Sequence, residues 1–240
     1  MSTLPSRTFA FVAGVVILAI CAITTSWSGP LHAEFWFWLG ACLVGELLSV
    51  KLPVGEVSVS MASTFDFAAL LVLPRGHAMA VAAISSLVAQ RFFMRKPTIR
   101  AVFNGAQASL TVGAASWVLS RLGAVSHDPT DLLLRLQLLP LLAAAATYFV
   151  VNSGAVSLAV AVHERIPIPW AWRANFGSRY ELLSNGALFS LGTLLASHYA
   201  VNGIAATALI VFPVLVAYYG YRHYARARMS ELDRSEREAA

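Results

Sequence analysis

Eight apolar runs, most of them long enough to cross a bilayer and parted by short polar or basic stretches, place the tightest constraint on how this chain can fold. They cover Thr8 to Ser26, Phe35 to Val50, Met61 to Leu73, Gly76 to Gln90, Ala101 to Leu119, Leu132 to Val162, Leu182 to Ala200 and Ile204 to Tyr221. With 58% of its 240 residues hydrophobic and only 12% charged, a soluble domain of this size would have no interior able to hide so much apolar surface. Lipid is the solvent that fits, and in lipid only helices or closed barrels satisfy the backbone. The expectation is an all-α, polytopic transmembrane bundle of about eight segments. The third and fourth runs, on either side of Pro74-Arg75-Gly76, are short for a hydrocarbon core of about 30 Å. They read as a thin hairpin or a re-entrant pair, and the latter would reduce the crossings to six.

The cations orient the bundle. If the N-terminus is inside and every run crosses, Arg75, Arg121 and Arg135 lie outside and the other fourteen of the 17 Lys and Arg lie inside. That asymmetry is a positive-inside pattern with both termini cytoplasmic, and the parity is the same for six crossings. Arg7 followed by Thr8 to Ser26 imitates a secretion signal, with Leu31-His32-Ala33 as an imitation cleavage site, but the run is too long for a signal core and reads as a retained first helix. Trp27, Trp36 and Trp38 around the first outer loop, and Trp170 and Trp172 in a cytoplasmic stretch, suit the headgroup level. The segment from Pro169 to Tyr180 suits a surface-lying helix. Beyond Tyr221 the sequence turns polar with alternating charge, giving two parts: a bundle over 1–221 and a cytoplasmic helical stalk or tail over 222–240.

Composition also narrows the chemistry. The formal charge of +5 comes from topology signals, so no nucleic acid is expected as a partner. Cys21 and Cys42 have no His or Cys at metal-ligand spacing, which points to no metal and no disulfide framework. No cofactor is implied. The sequence carries no Gly-rich phosphate loop, no G-x-S-x-G and no H-E-x-x-H, and His127-Asp128 before Pro129 reads as a turn. The expectation is therefore a binding protein and not an enzyme.

Polar groups at membrane depth are costly, so they are the natural site candidates. Asp66, Gln90, Glu181 and His198 fall near the ends of runs, where water or headgroups would solvate them. Glu46, deeper in the second run, has three readings: pairing with Lys51 about one turn on, contact with a cationic or polar ligand, or a simply protonated carboxyl. Asn104 and Gln107, three residues apart, can turn both amides towards one neighbour, as interhelical glue or as a polar ligand site. Asn152 and Asn185 complete the tentative ligand-binding set. Val57 to Met61 alternates like a strand and reads either as the wall of a pocket or as a plain connection. Asn104-Gly105-Ala106-Gln107-Ala108-Ser109-Leu110 and Asn185-Gly186-Ala187-Leu188-Phe189-Ser190-Leu191 share the pattern N-G-A-x-x-S-L, for which small-residue packing or an old duplication are the explanations.

The order of Gly45-Glu46-Leu47, Lys51-Leu52-Pro53, Val57-Ser58-Val59-Ser60, the Ala69-Leu70-Leu71 and Pro74 hairpin, the basic loop and Phe103-Asn104-Gly105-Ala106-Gln107 resembles the membrane-associated sensor (MASE-like) regions of bacterial signalling proteins. Tyr148 to Asn152, Trp170 to Phe176 and Phe212-Pro213 to Tyr221 continue the likeness. Such regions precede HD-GYP phosphodiesterase or GGDEF diguanylate cyclase domains. The resemblance implies an inner-membrane sensory unit that signals through its last helix to a cytoplasmic partner, with homo-oligomers as one arrangement. The sequence reaches Ala240 where an output domain would begin in those proteins. Two other expectations stand beside it: a substrate-binding subunit of a vitamin-type uptake system, and a structural subunit docked to neighbouring membrane proteins.

Overall fold

The computed structural model of the chain describes residues 6–51, 58–122 and 138–239, with side chains described except at 49–51, 58–60, 179–181 and most positions from 211 onward. The elements in order are α1 (Ser6–Ser26), α2 (Ala33–Leu47), β1 (Ser49–Lys51), β2 (Ser58–Ser60), α3 (Ala62–Val72), α4 (Arg75–Val88), a π-helical turn (Ala89–Phe93), α5 (Thr98–Arg121), α6 (Leu138–Glu164), α7 (Ile168–Phe176) and α8 (Arg179–Ala239). The fold is all-α. Three helical stretches among the described residues are long and apolar enough to cross a membrane: Ser6–Ser26, Leu138–Glu164 and Leu182–Ile210. The turn at His127-Asp128, Arg135 and the start of the sixth run lie outside the described residues.

The third and fourth runs become α3 and α4, about 16 and 21 Å long at 1.5 Å per residue. Pro74 separates them, because the residue before a proline is pushed out of the helical region. Leu73 accordingly sits at φ −89°, ψ 152°. Every residue of α3 from Thr64 to Leu71 is buried, so this short helix is covered on all sides, as an evenly apolar helix must be. It packs against α2, α4, α5 and α8.

Glycine sets several of these approaches. A Cβ on Gly192 of α8 would stand 2.6 Å from the Thr64 carbonyl oxygen of α3, and one on Gly105 of α5 would stand 2.8 Å from the Ala83 carbonyl oxygen of α4. Gly186, the counterpart of Gly105 in the N-G-A-x-x-S-L echo, has nothing within 4 Å. Close packing therefore accounts for the first copy of the pattern and not the second.

The seventh and eighth runs form one helical stretch, α8, broken at Gly203 with φ 72° and ψ −171°. The strand-like alternation appears as β2, antiparallel to β1 with Val50 opposite Val59; Pro53, Gly55 and Val57 lie outside the described residues. The Pro169 segment is the helix α7, with Trp170 62% exposed. Trp36 is also largely exposed, but Trp38 is fully buried against Phe37 and Tyr199. Trp38 is thus a core residue and not a headgroup anchor, because helical spacing turns it away from the face that Trp36 occupies.

Candidate functional site

The interior of the bundle holds a chain of polar side chains that begins at the loop between the π-helical turn and α5. A π turn carries one extra residue and so re-aims the side chains that follow it. Here Gln90 points inward, 7% exposed, while Phe92 and Phe93 face outward. Gln90 is the hub. Its Nε2 donates to Ser86 Oγ at 3.0 Å, and its Oε1 accepts from Lys96 Nζ at 3.2 Å and from Asn104 Nδ2.

Glu46, the penultimate residue of α2, faces this hub. Its carboxyl interacts with the side chains of Ser86 and Gln90, and the Lys96 ammonium acts on it electrostatically. Among the described side chains the cation acting on Glu46 is Lys96, brought from 50 residues away by the fold; the side chain of Lys51, the partner expected from the sequence, lies outside the described residues. Burial holds the half-buried Lys96 ammonium below the usual lysine range, an effect that Glu46 opposes and Arg100 reinforces.

Asp66 lies deeper, in the middle of α3, and is only 3% exposed. Oδ2 accepts from the Tyr148 hydroxyl of α6 at 3.2 Å. Oδ1 is buried with no hydrogen-bond partner. Cys42 and Glu46 of α2 are the other ionisable groups acting on this carboxyl. Tyr148 is itself wedged against Phe67 and Phe189, with ring centroids 6.2 and 5.2 Å away. Thr64 Oγ1 donates to the Leu188 carbonyl at 3.2 Å, which ties α3 to α8 beside the same cluster.

A second polar contact joins α5 to α6. Gln107 Nε2 donates to Asn152 Oδ1 at 2.5 Å and to Thr111 Oγ1 at 3.1 Å. Next to it, Trp172 Nε1 of α7 donates to Ser153 Oγ of α6 at 3.0 Å.

The fold therefore brings Glu46 and Asn104 together through Gln90 and joins Gln107 to Asn152 separately. The two amides of α5 do not converge on one neighbour: a three-residue step leaves them about 60° apart around the axis and about 4.5 Å apart along it, and Asn104 meets the π turn while Gln107 meets α6. Asn185 is half-buried on α8, a helix that carries none of the others. Asp66 and Gln90 are not solvated at helix ends. In an 11-residue helix wrapped by four neighbours, nearness to an end does not bring water near. Ser86, Lys96, Cys42 and Tyr148 were not among the candidate ligand residues. The signal available for Asp66 was its place between Phe65 and Phe67 in a run with no other charge. His198 is half-buried, with Nδ1 3.2 Å from Asn202 Nδ2, and the side chain of Glu181 lies outside the described residues.

Residues 49–221 match the family model described as MASE9. No curated protein and no solved structure matches the chain.

Proposed function

The chain belongs to the MASE9 family of membrane-associated sensor domains, and from that premise we propose that it binds a small or lipophilic signal within its helical bundle and transmits a rearrangement through α8 to a cytoplasmic signalling partner. It acts in this reading by binding and not by catalysis, as a multi-pass protein of a bacterial inner membrane with both termini cytoplasmic. The observation that carries the reading is the packing of α8 on α3: its first half meets Thr64 and Phe67, and after the break at Gly203 its second half runs on to Ala239, past the last apolar stretch. In this reading a shift of α3 in the core reaches the tail by moving the first half of α8 about the break at Gly203.

The tip of the α3–α4 hairpin supports the crossing reading of that pair. A Cβ on Gly76 would stand 2.6 Å from the Ser26 carbonyl oxygen at the end of α1, and Arg75 Nη2 donates to Ser120 Oγ at 2.8 Å near the end of α5. The tip is thus level with the ends of two long helices, and Arg75 has the headgroup region within reach.

The test is to join the chain at Ala240 to a diguanylate cyclase reporter and insert one to four alanines after Arg222. Each insertion rotates the downstream helix by about 100°. Reporter output that rises and falls with helical periodicity fits transmission along α8. Output flat across the series would rule that route out and leave the uptake and structural readings in its place.

A further inference from the structure

Among the described side chains the charge count inside the bundle does not balance. Two carboxylates there, Glu46 and Asp66, share one ammonium, that of Lys96, which donates to Gln90 and acts on Glu46. An unpaired carboxylate in an apolar interior is costly enough that it either takes a proton or acquires a cation. Asp66 is the unpaired one. Tyr148 donates to its Oδ2, the Cys42 thiol of α2 also interacts with the carboxyl, and Oδ1 is buried with no partner at hydrogen-bond distance. The ionisable groups acting on it are Glu46 and Cys42 from α2 and Tyr148 from α6.

We propose that Asp66, with Glu46 beside it, forms a buried site that takes up one monovalent positive charge, delivered as a proton or as a small cation. A single charge is what the count requires. Among the described residues no three His, Cys, Asp or Glu side chains are grouped to hold a metal ion, so the donor set suits a monovalent guest better than a divalent one. The site deepens the sensor reading by naming what the bundle binds. Uptake would neutralise Asp66 at the point where α2, α3 and α6 meet, one helix away from α8.

The full chain in nanodiscs of zwitterionic lipid is titrated with acid at fixed ionic strength. A parallel arm at fixed pH uses sodium, potassium or methylammonium, with N-methylglucamine as the control ion. Infrared difference spectra separate the two sources: conversion of a carboxylate band to a carboxylic-acid band reports a proton, and a shifted carboxylate band without an acid band reports a cation. The expected result is one site per chain, absent in Asp66→Asn. Glu46→Gln removes a neighbouring negative charge and weakens uptake severalfold. Tyr148→Phe removes the donor to Oδ2 and strengthens uptake about tenfold. If Asp66→Asn does not fold, these opposite displacements carry the test.

An Asp66→Asn signal equal to that of the wild type, or displacement of the other two variants in the same direction, overturns the site. Because the readout is uptake and not output, the two readings fail separately. Periodic reporter output without uptake removes this site and leaves the sensor; uptake with flat output does the reverse.

Discussion

Gly203→Ala isolates a backbone effect, because nothing lies within 4 Å of where the new methyl would go. The native residue sits at φ 72°, ψ −171°, a region that is essentially glycine's alone and costs other residues about 1–3 kcal/mol. In a helix, alanine is favoured over glycine by about 1 kcal/mol. The two terms act together, moving the balance between a broken and a straight α8 by about 2–4 kcal/mol, or roughly 30-fold to 1,000-fold towards straight. The assay is pulsed electron–electron distance measurement between labels at Leu194 and Leu209, both exposed and on opposite sides of the break, with the exposed Cys21 replaced by serine. Fifteen residues of unbroken helix place the two backbone sites about 22 Å apart along the axis. The variant should narrow its distribution towards that spacing, displaced from the parent. Gly186→Ala, also without a neighbour but at a helical position, is the control: it should raise stability slightly and leave the distance alone. If Gly203→Ala behaves like the control, the break does not exist in the membrane and the reasoning fails.

Gly76→Ala pushes a methyl into the backbone of Ser26 and Trp27 and should lower stability by about 1–3 kcal/mol, read as a drop in thermal midpoint in detergent. Gly105→Ala, whose Cβ would stand 2.8 Å from a carbonyl oxygen, should likewise destabilise while Gly186→Ala does not; equal effects would mean the two N-G-A-x-x-S-L copies pack alike after all. A double-mutant cycle of Gln107→Leu and Asn152→Leu should give a coupling of about 0.6 to 1.7 kcal/mol, and zero coupling would dissolve the α5–α6 contact. For Lys96, the folded state holds the ammonium below its unfolded value, so between the two values the unfolded chain binds more protons and stability rises with pH. Melting midpoints of the parent should climb relative to Lys96→Gln as the pH approaches the lysine range, and parallel curves would contradict this.

Much of the candidate site was legible one residue at a time. Glu46, Asn104, Gln107 and Asn152 stand out because a polar side chain in an apolar run needs a partner, and each has one. Their partners were not legible. Lys96 acts on Glu46 from 50 residues away, because a π turn and a proline-started helix bring that loop back over α2. Asp66 was visible as a charge but assigned to a solvated end, since run length measures distance along the chain and not distance from water.

The sequence by itself determined the solvent, the helical class, the places where glycine and proline interrupt the helices, and the tail's change of character at Tyr221. Those depend on hydropathy and backbone stereochemistry, which are local. Tertiary structure alone decided which polar groups meet, that α3 is enclosed on every side, that Trp38 is core while Trp36 is not, and that Gly105 is packed while Gly186 is open. Each of these depends on which helix lies against which, and in an interior where nearly every surface is apolar, hydropathy ranks those pairings equally; steric fit and the pairing of a few polar groups separate them.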